Sequence, residues 1–132
     1  MKTIIAGSRD IMDYNFVRHA IQELKRSPSG WPITEVVSGC ARGPDQLGET
    51  WANRNCIPIK QFIPDWNGYA GKRAGLVRNV RMAEYADALI AFWDGRSKGT
   101  AHMIKVATMR GLLVHVVRWT PVIPNQDPYS EI

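Results

Sequence analysis

Six consecutive apolar residues, Ala88 to Trp93, run straight into the polar, glycine-bounded loop Asp94-Gly95-Arg96-Ser97-Lys98-Gly99-Thr100. An uninterrupted apolar run this short is the pattern of a strand covered on both faces, as in a parallel sheet with helices above and below. Beyond the loop, Met103, Ile104, Ala107 and Gly111 share one side at helical spacing. The segment reads as strand, loop and helix. In open α/β sheets ligands bind beyond the carboxyl ends of strands, and a helix amino terminus offers unpaired N–H groups and a partial positive charge to an anion. A plain tight turn would leave the same pattern, so one such loop does not decide between the two.

The unit recurs along the chain. Lys2 to Ala6 forms a strand ending in Gly7-Ser8-Arg9-Asp10, and Asp13 can cap a helix to about Arg26 with Phe16, Val17, Ala20, Ile21 and Leu24 on its core face. After the connector Ser27–Pro32, a second strand, Thr34 to Ser38, ends in Gly39-Cys40-Ala41-Arg42-Gly43-Pro44-Asp45. Pro44 suits the first turn of a helix to about Arg54, with Leu47, Trp51 and Ala52 inward. A third strand is expected over Ile57–Ile63, followed by a long irregular segment, Pro64 to Gly75, that fits a lid or binding loop as well as a plain connection. Leu76, Val80, Met82 and Ala83 pattern the next helix, and Leu112 to Arg118 a fifth strand. Five such units predict a doubly wound, Rossmann-like parallel sheet of about five strands with helices on both faces. In the common order 3-2-1-4-5 the three glycine loops emerge side by side on one rim. That arrangement makes a polar cleft at the switch point, carrying Ser8, Arg9, Ser38, Arg42, Asp45, Ser97, Lys98 and Thr100.

Composition narrows the classes. The 132 residues, 45% of them hydrophobic, are enough for one domain with its own core. The expected domain spans 1–118, and 119–132, with three prolines, reads as an extended tail packed on the body or on a neighbouring subunit. No apolar run reaches the roughly 18 residues of a membrane span and no leader pattern is present, so a cytoplasmic chain with no membrane partner is expected. Cys40 and Cys56 have the spacing of neither a disulfide framework nor a zinc site, and reduced, mostly buried thiols are expected. The three histidines have no ligand spacing, so neither metal nor cofactor is expected. A net charge of +5 favours anionic partners without identifying them. None of the loops is a GxGxxG or a G-x-x-x-x-G-K-[ST], which argues against a dinucleotide dehydrogenase and a P-loop nucleotidase.

The ordered pieces IIAGSRD (4–10), VVSGCARGPD (36–45), GLVRNVRMAEYADALIAFWDG (75–95) and GRSKGT (95–100) resemble the SLOG superfamily. These Rossmann-like domains include DNA-processing protein A and the lonely-guy phosphoribohydrolases, and the chain is most similar to the small stand-alone YspA-like group. The resemblance covers roughly Met1 to Arg118. It implies that segments similar to GSR, SGCARGPD and RNVRMA line a phosphate site, with Arg78-Asn79 and Gly99-Thr100 holding a nucleotide. The glutamate that the phosphoribohydrolases carry just after Gly-Thr is missing; Ala101, His102 and Met103 stand there. Glycosidic hydrolysis needs a carboxylate at the ribosyl centre, so the resemblance implies binding more firmly than catalysis.

The expected ligand-binding set is Gly7, Ser8, Arg9, Ser38, Gly39, Arg42, Gly43, Asp45, Arg78, Asn79, Asp94, Gly95, Ser97, Lys98, Gly99 and Thr100. Arg78 would pair with phosphate through its planar fork of donors. Asp45 could accept from a ribose hydroxyl or cap its helix, and Asp94 is a cap or a substitute carboxylate. His102 would donate to the ligand. Trp51 and Trp93 fit the core, whereas Trp66 and Tyr69 could stack on a base. Glu84 fits a solvent-facing or salt-bridging position. Three functions follow. The first is a sensor or sequestering protein for a nucleotide-type small molecule, such as an ADP-ribose-type messenger. The others are a phosphoribohydrolase-like enzyme using Asp94 and a single-stranded nucleic-acid binder. A homodimer or larger homo-oligomer is compatible with each.

Overall fold

The computed structural model describes residues 1–68 and 73–120. Its elements alternate: β1 (Lys2–Gly7), α1 (Tyr14–Arg26), β2 (Glu35–Ser38), α2 (Pro44–Arg54), β3 (Ile59–Gln61), α3 (Arg73–Tyr85), β4 (Ala88–Trp93), α4 (Lys98–Met109) and β5 (Leu113–Arg118). The strands form one sheet in the order β3-β2-β1-β4-β5, every pair parallel. This is the doubly wound, Rossmann-like fold that the apolar runs and intervening helices predict.

Side-chain alternation along the central strands divides the core between the two faces. Ile5 of β1 and Ala88, Ile90 and Phe92 of β4 pack with Val17 and Ile21 of α1 and Trp51 and Ala52 of α2. Ile4, Ala6, Leu89 and Ala91 point the other way, onto Met82 and Ala83 of α3 and Met103 and Ala107 of α4. Ile4, Ile5, Leu89 and Ile90 are fully buried, each contributing about 1.5–3 kcal/mol of hydrophobic stabilisation. Local signals set the helix ends. Asp13 accepts from Phe16 N (3.2 Å), Lys25 and Arg26 lie in the negative last turn of α1, and Pro44 opens α2.

The structure corrects several expectations. β3 is only three residues long, so Ile57 and Ile63 flank it, and α3 already begins at Arg73. Gly75 is therefore helical, and Arg78 lies in the second turn instead of at the helix start. Ala74 takes the buried position, leaving Leu76 40% exposed. Gly111 falls beyond α4 at φ 77°, where it ends the helix. Trp93 is only half-buried: its indole N–H donates to Ser97 O (3.1 Å), and the Arg118 guanidinium sits 5.2 Å from its ring. Cys56 is exposed and Cys40 half-buried, because both occupy left-handed turns, at φ 56° and 62°, instead of core positions. Trp119 extends the order past β5, donating its N–H to Trp93 O and packing edge-on against Phe16. The rest of the expected tail, 121–132, lies outside the described residues, as does Tyr69.

Candidate phosphate-binding cleft

The sheet switches winding direction between β1 and β4, and there the loops are tied together. Ser8 N donates to Phe92 O (2.9 Å), and the buried Ser8 hydroxyl accepts from Asp94 N (3.1 Å). A Cβ at Gly7 would fall inside the radius of the Phe92 carbonyl oxygen, so only glycine lets these two strands end so close together. The β2–α2 loop joins them through Gly43, whose φ of 90° is open to glycine and whose Cα faces the Ser8 and Arg9 backbone. All three glycine loops therefore meet on one rim.

Between the loops and the amino-terminal turn of α4 lies a cleft of about 80 Å³. Its wall includes Gly7, Arg9, Asp45, Arg78, Asn79, Ser97, Gly99 and Thr100. Ala6, Ala41, Met82 and Met103 add an apolar floor. Sequence reasoning missed Ala6, Met82 and Met103 because strand and helix periodicity marks them only as core, and Ala41 because a loop methyl carries no polar signal. Ser8, Ser38, Gly39, Gly43, Asp94 and Gly95 form the frame around it, whereas Arg42 and Lys98 are exposed outside its wall. Gly95, at φ 82°, lies against Arg118.

Arg78 is the fixed cation of the cleft. Its Nη1 donates to Gly39 O (2.5 Å) and its Nε to Asn79 Oδ1 (3.1 Å). Because that amide oxygen faces a guanidinium, Asn79 turns its nitrogen toward Gly99 O (3.3 Å) and His102 Nδ1 (3.1 Å). His102 Nδ1 is therefore an acceptor, and the ring carries its proton on Nε2. Burial, with Lys105 nearby, pushes the His102 pKa down, which keeps the ring neutral. Asn79, itself 4% exposed, thus links α3 to α4 while setting the plane of Arg78.

Asp45 lies beneath Arg78, 3% exposed, accepting from Ala41 N (3.3 Å). Burial pushes its carboxyl up to about 6 against the opposing pull of Arg78. The same burial lowers the Arg78 pKa while Asp45 raises it, so at neutral pH both are charged. Ser38, fully buried, donates to Glu49 Oε2 (2.6 Å) and accepts from Cys40 N (3.1 Å). Glu49, absent from the expected set, also accepts from Gln61 (2.9 Å) and so anchors the second loop to β3. Burial and Glu49 raise the Cys40 pKa, which leaves it a thiol at neutral pH. Asp94 Oδ1 accepts from Arg96 N and Ser97 N (2.8 Å each), and those bonds hold its carboxyl below the usual range. Ser97 is the cap of α4, accepting from Thr100 N (3.4 Å). Away from the cleft, Glu84 pairs with Arg110 at 3.0 Å, and Trp66 is 57% exposed. Among the described residues no group of three or more His, Cys, Asp or Glu is placed to hold a metal, and no helix is long and apolar enough to cross a membrane.

A five-stranded parallel sheet wound in both directions, with its glycine loops gathered at the switch point, defines a Rossmann-like α/β domain. The chain belongs to the YspA, cpYpsA-related SLOG family, whose model matches residues 1–69. It is 38% identical to the Gene 61 protein of Mycobacterium phage D29, over 86% of this chain and 93% of that one. Its fold is similar to the X-ray structure of DNA processing protein A (DprA) from Streptococcus pneumoniae, with a TM-score of 0.71 at 20% identity. That likeness covers 92% of this chain but about half, 51%, of the DprA chain.

Proposed function

We propose that this protein binds a nucleotide or nucleotide-derived ligand, with a phosphate in the cleft, and does not hydrolyse it. The observation that carries the reading is Arg78. Its guanidinium is held by Gly39 O and Asn79, yet Nη2 has no hydrogen-bond partner among the described residues and the side chain lines the cleft beside the start of α4. A fork fixed on one side and open on the other is suited to a phosphate oxygen, and its ordering entropy is already lost before binding. A volume of about 80 Å³ is room for roughly two to three waters, which matches a phosphate group and not a whole nucleotide. The base and sugar must then lie outside it.

The absence of hydrolysis follows from the carboxylates. Asp94 spends its Oδ1 on two N–H groups of its own loop and does not line the cleft, and Asp45 is buried under Arg78. The biological role that fits is a sensor or sequestering protein, and ADP-ribose-type messengers belong to the ligand class. Self-association would use the shallow apolar depression of Val80, Val106 and Met109 between α3 and α4, and light scattering on the full chain reports it.

Calorimetric titration of the full chain with AMP, ADP-ribose and an oligonucleotide tests the reading. We expect saturable nucleotide binding that is lost in Arg78→Ala and changes little with salt. Binding only to the oligonucleotide, weakening steeply as salt rises, would instead assign strand recognition. Release of free base that disappears in Asp94→Ala would make the protein an enzyme.

A further inference from the structure

Arg78 lines a second, larger groove. This groove, about 270 Å³, opens beyond the carboxyl end of β3 against α3. Its apolar wall is Phe62, Pro64, Ala74 and Val77; its cations, besides Arg78, are Lys60 and Arg81. Among the described residues the single acid in it, Asp65, already has Oδ1 accepting from Gly68 N (2.9 Å). The surroundings are thus net positive, and both Lys60 and Arg81 are solvent-exposed with no carboxylate partner among the described residues. The Lys60 ammonium stands 5.8 Å from the Phe62 ring, so a cation and an aromatic surface are presented together.

We infer that this groove is a second subsite, which takes the base and the next phosphate of a dinucleotide whose first phosphate lies in the glycine cleft. The inference rests on the nucleotide reading and extends it. A groove at the lower edge of the size range of small-molecule sites holds about one nucleoside. A planar base placed against Phe62 and Pro64 would bury apolar surface, and a phosphate past it would meet Lys60 and Arg81. Arg78 lines both compartments, and the inference places one ligand on either side of its guanidinium.

The test compares adenosine 5′-monophosphate with 5′-phosphorylated diadenylate on the full chain, wild type and Lys60→Gln/Arg81→Gln. Both substitutions are on the surface, and an unchanged circular dichroism spectrum and melting midpoint verify the fold. The dinucleotide should bind about tenfold more tightly than the mononucleotide, as expected from the two exposed charge pairs that its second phosphate adds. The double variant should erase that gain while leaving mononucleotide affinity within about twofold. Equal wild-type affinities for the two probes, or equal weakening of both in the variant, would overturn the subsite. Failure of the wild type to bind either probe would instead remove the phosphate cleft, and the subsite with it. Longer oligoadenylates identify the source: a plateau at two nucleotides assigns a free dinucleotide, and a further rise with length assigns a strand end.

Discussion

Replacing Asp45 by Asn should change how stability depends on pH, in a direction opposite to that of most carboxylates. Asp45 is 3% exposed, and its carboxyl is raised from 3.8 to about 6 in the fold, burial outweighing Arg78. Between pH 3.8 and 6 the folded protein therefore binds the proton that the unfolded chain has lost. Stability must fall as pH rises through this window and level off above it. A shift of this size corresponds to about 3 kcal/mol, a large share of the 5–15 kcal/mol that holds an ordinary domain together. Two other groups act nearby. Asp94, whose pKa is lowered, loses its stabilising effect only below the usual carboxylate range, and His102, also lowered, loses stability as pH falls below 6.5. Neither changes on substituting Asp45. Urea unfolding of wild type and Asp45→Asn at intervals from pH 4 to 8 isolates the effect as the difference between the two curves. The wild type should gain about 2 kcal/mol relative to the variant on acidification from pH 7 to pH 4, the remainder coming only below pH 3.8. Parallel profiles, or a relative loss for the wild type, would refute the buried-carboxylate argument.

Three further outcomes follow from the same contacts. Gly7→Ala places a methyl against the Phe92 carbonyl, which is backbone and cannot give way, so the melting midpoint should fall by an amount equivalent to at least about 3 kcal/mol. Gly39→Ala instead meets two side chains, Arg78 Nη1 at 2.6 Å and the buried Asp45 Oδ2 at 2.8 Å, so thermal stability should drop by about 2 kcal/mol while nucleotide binding measured by calorimetry is lost. Asn79→Leu strands Arg78 Nε and frees His102 Nδ1, costing about 2 kcal/mol, and nitrogen NMR should show the His102 ring leaving its single Nε2–H tautomer.

The sheet was legible in the sequence because its determinants are local. Ala88–Trp93 and Ile4–Ala6 are apolar on both faces, the helices between them carry 3.6-residue patterns, and β1, β2 and β4 each end at or within two residues of a glycine. Parallel strands and right-handed crossovers leave few ways to arrange such units, so strand order and the meeting of the three loops followed without long-range information. Much of the cleft wall was legible for the same reason, since a loop at a strand's carboxyl end inherits its place from the strand. Only the tertiary structure decided how those residues are used. Arg78 is fixed by a carbonyl 39 residues away in sequence, and Asn79 by its neighbour and by α4. Ser8 and Ser38 became braces because their hydroxyls are buried against Asp94 N and Glu49. The raised Asp45 carboxyl, the exposed Cys56 and the groove behind Arg78 likewise depend on which surfaces meet. Periodicity records which way a side chain faces relative to its own element, while desolvation and hydrogen-bond partners are properties of the surface it meets.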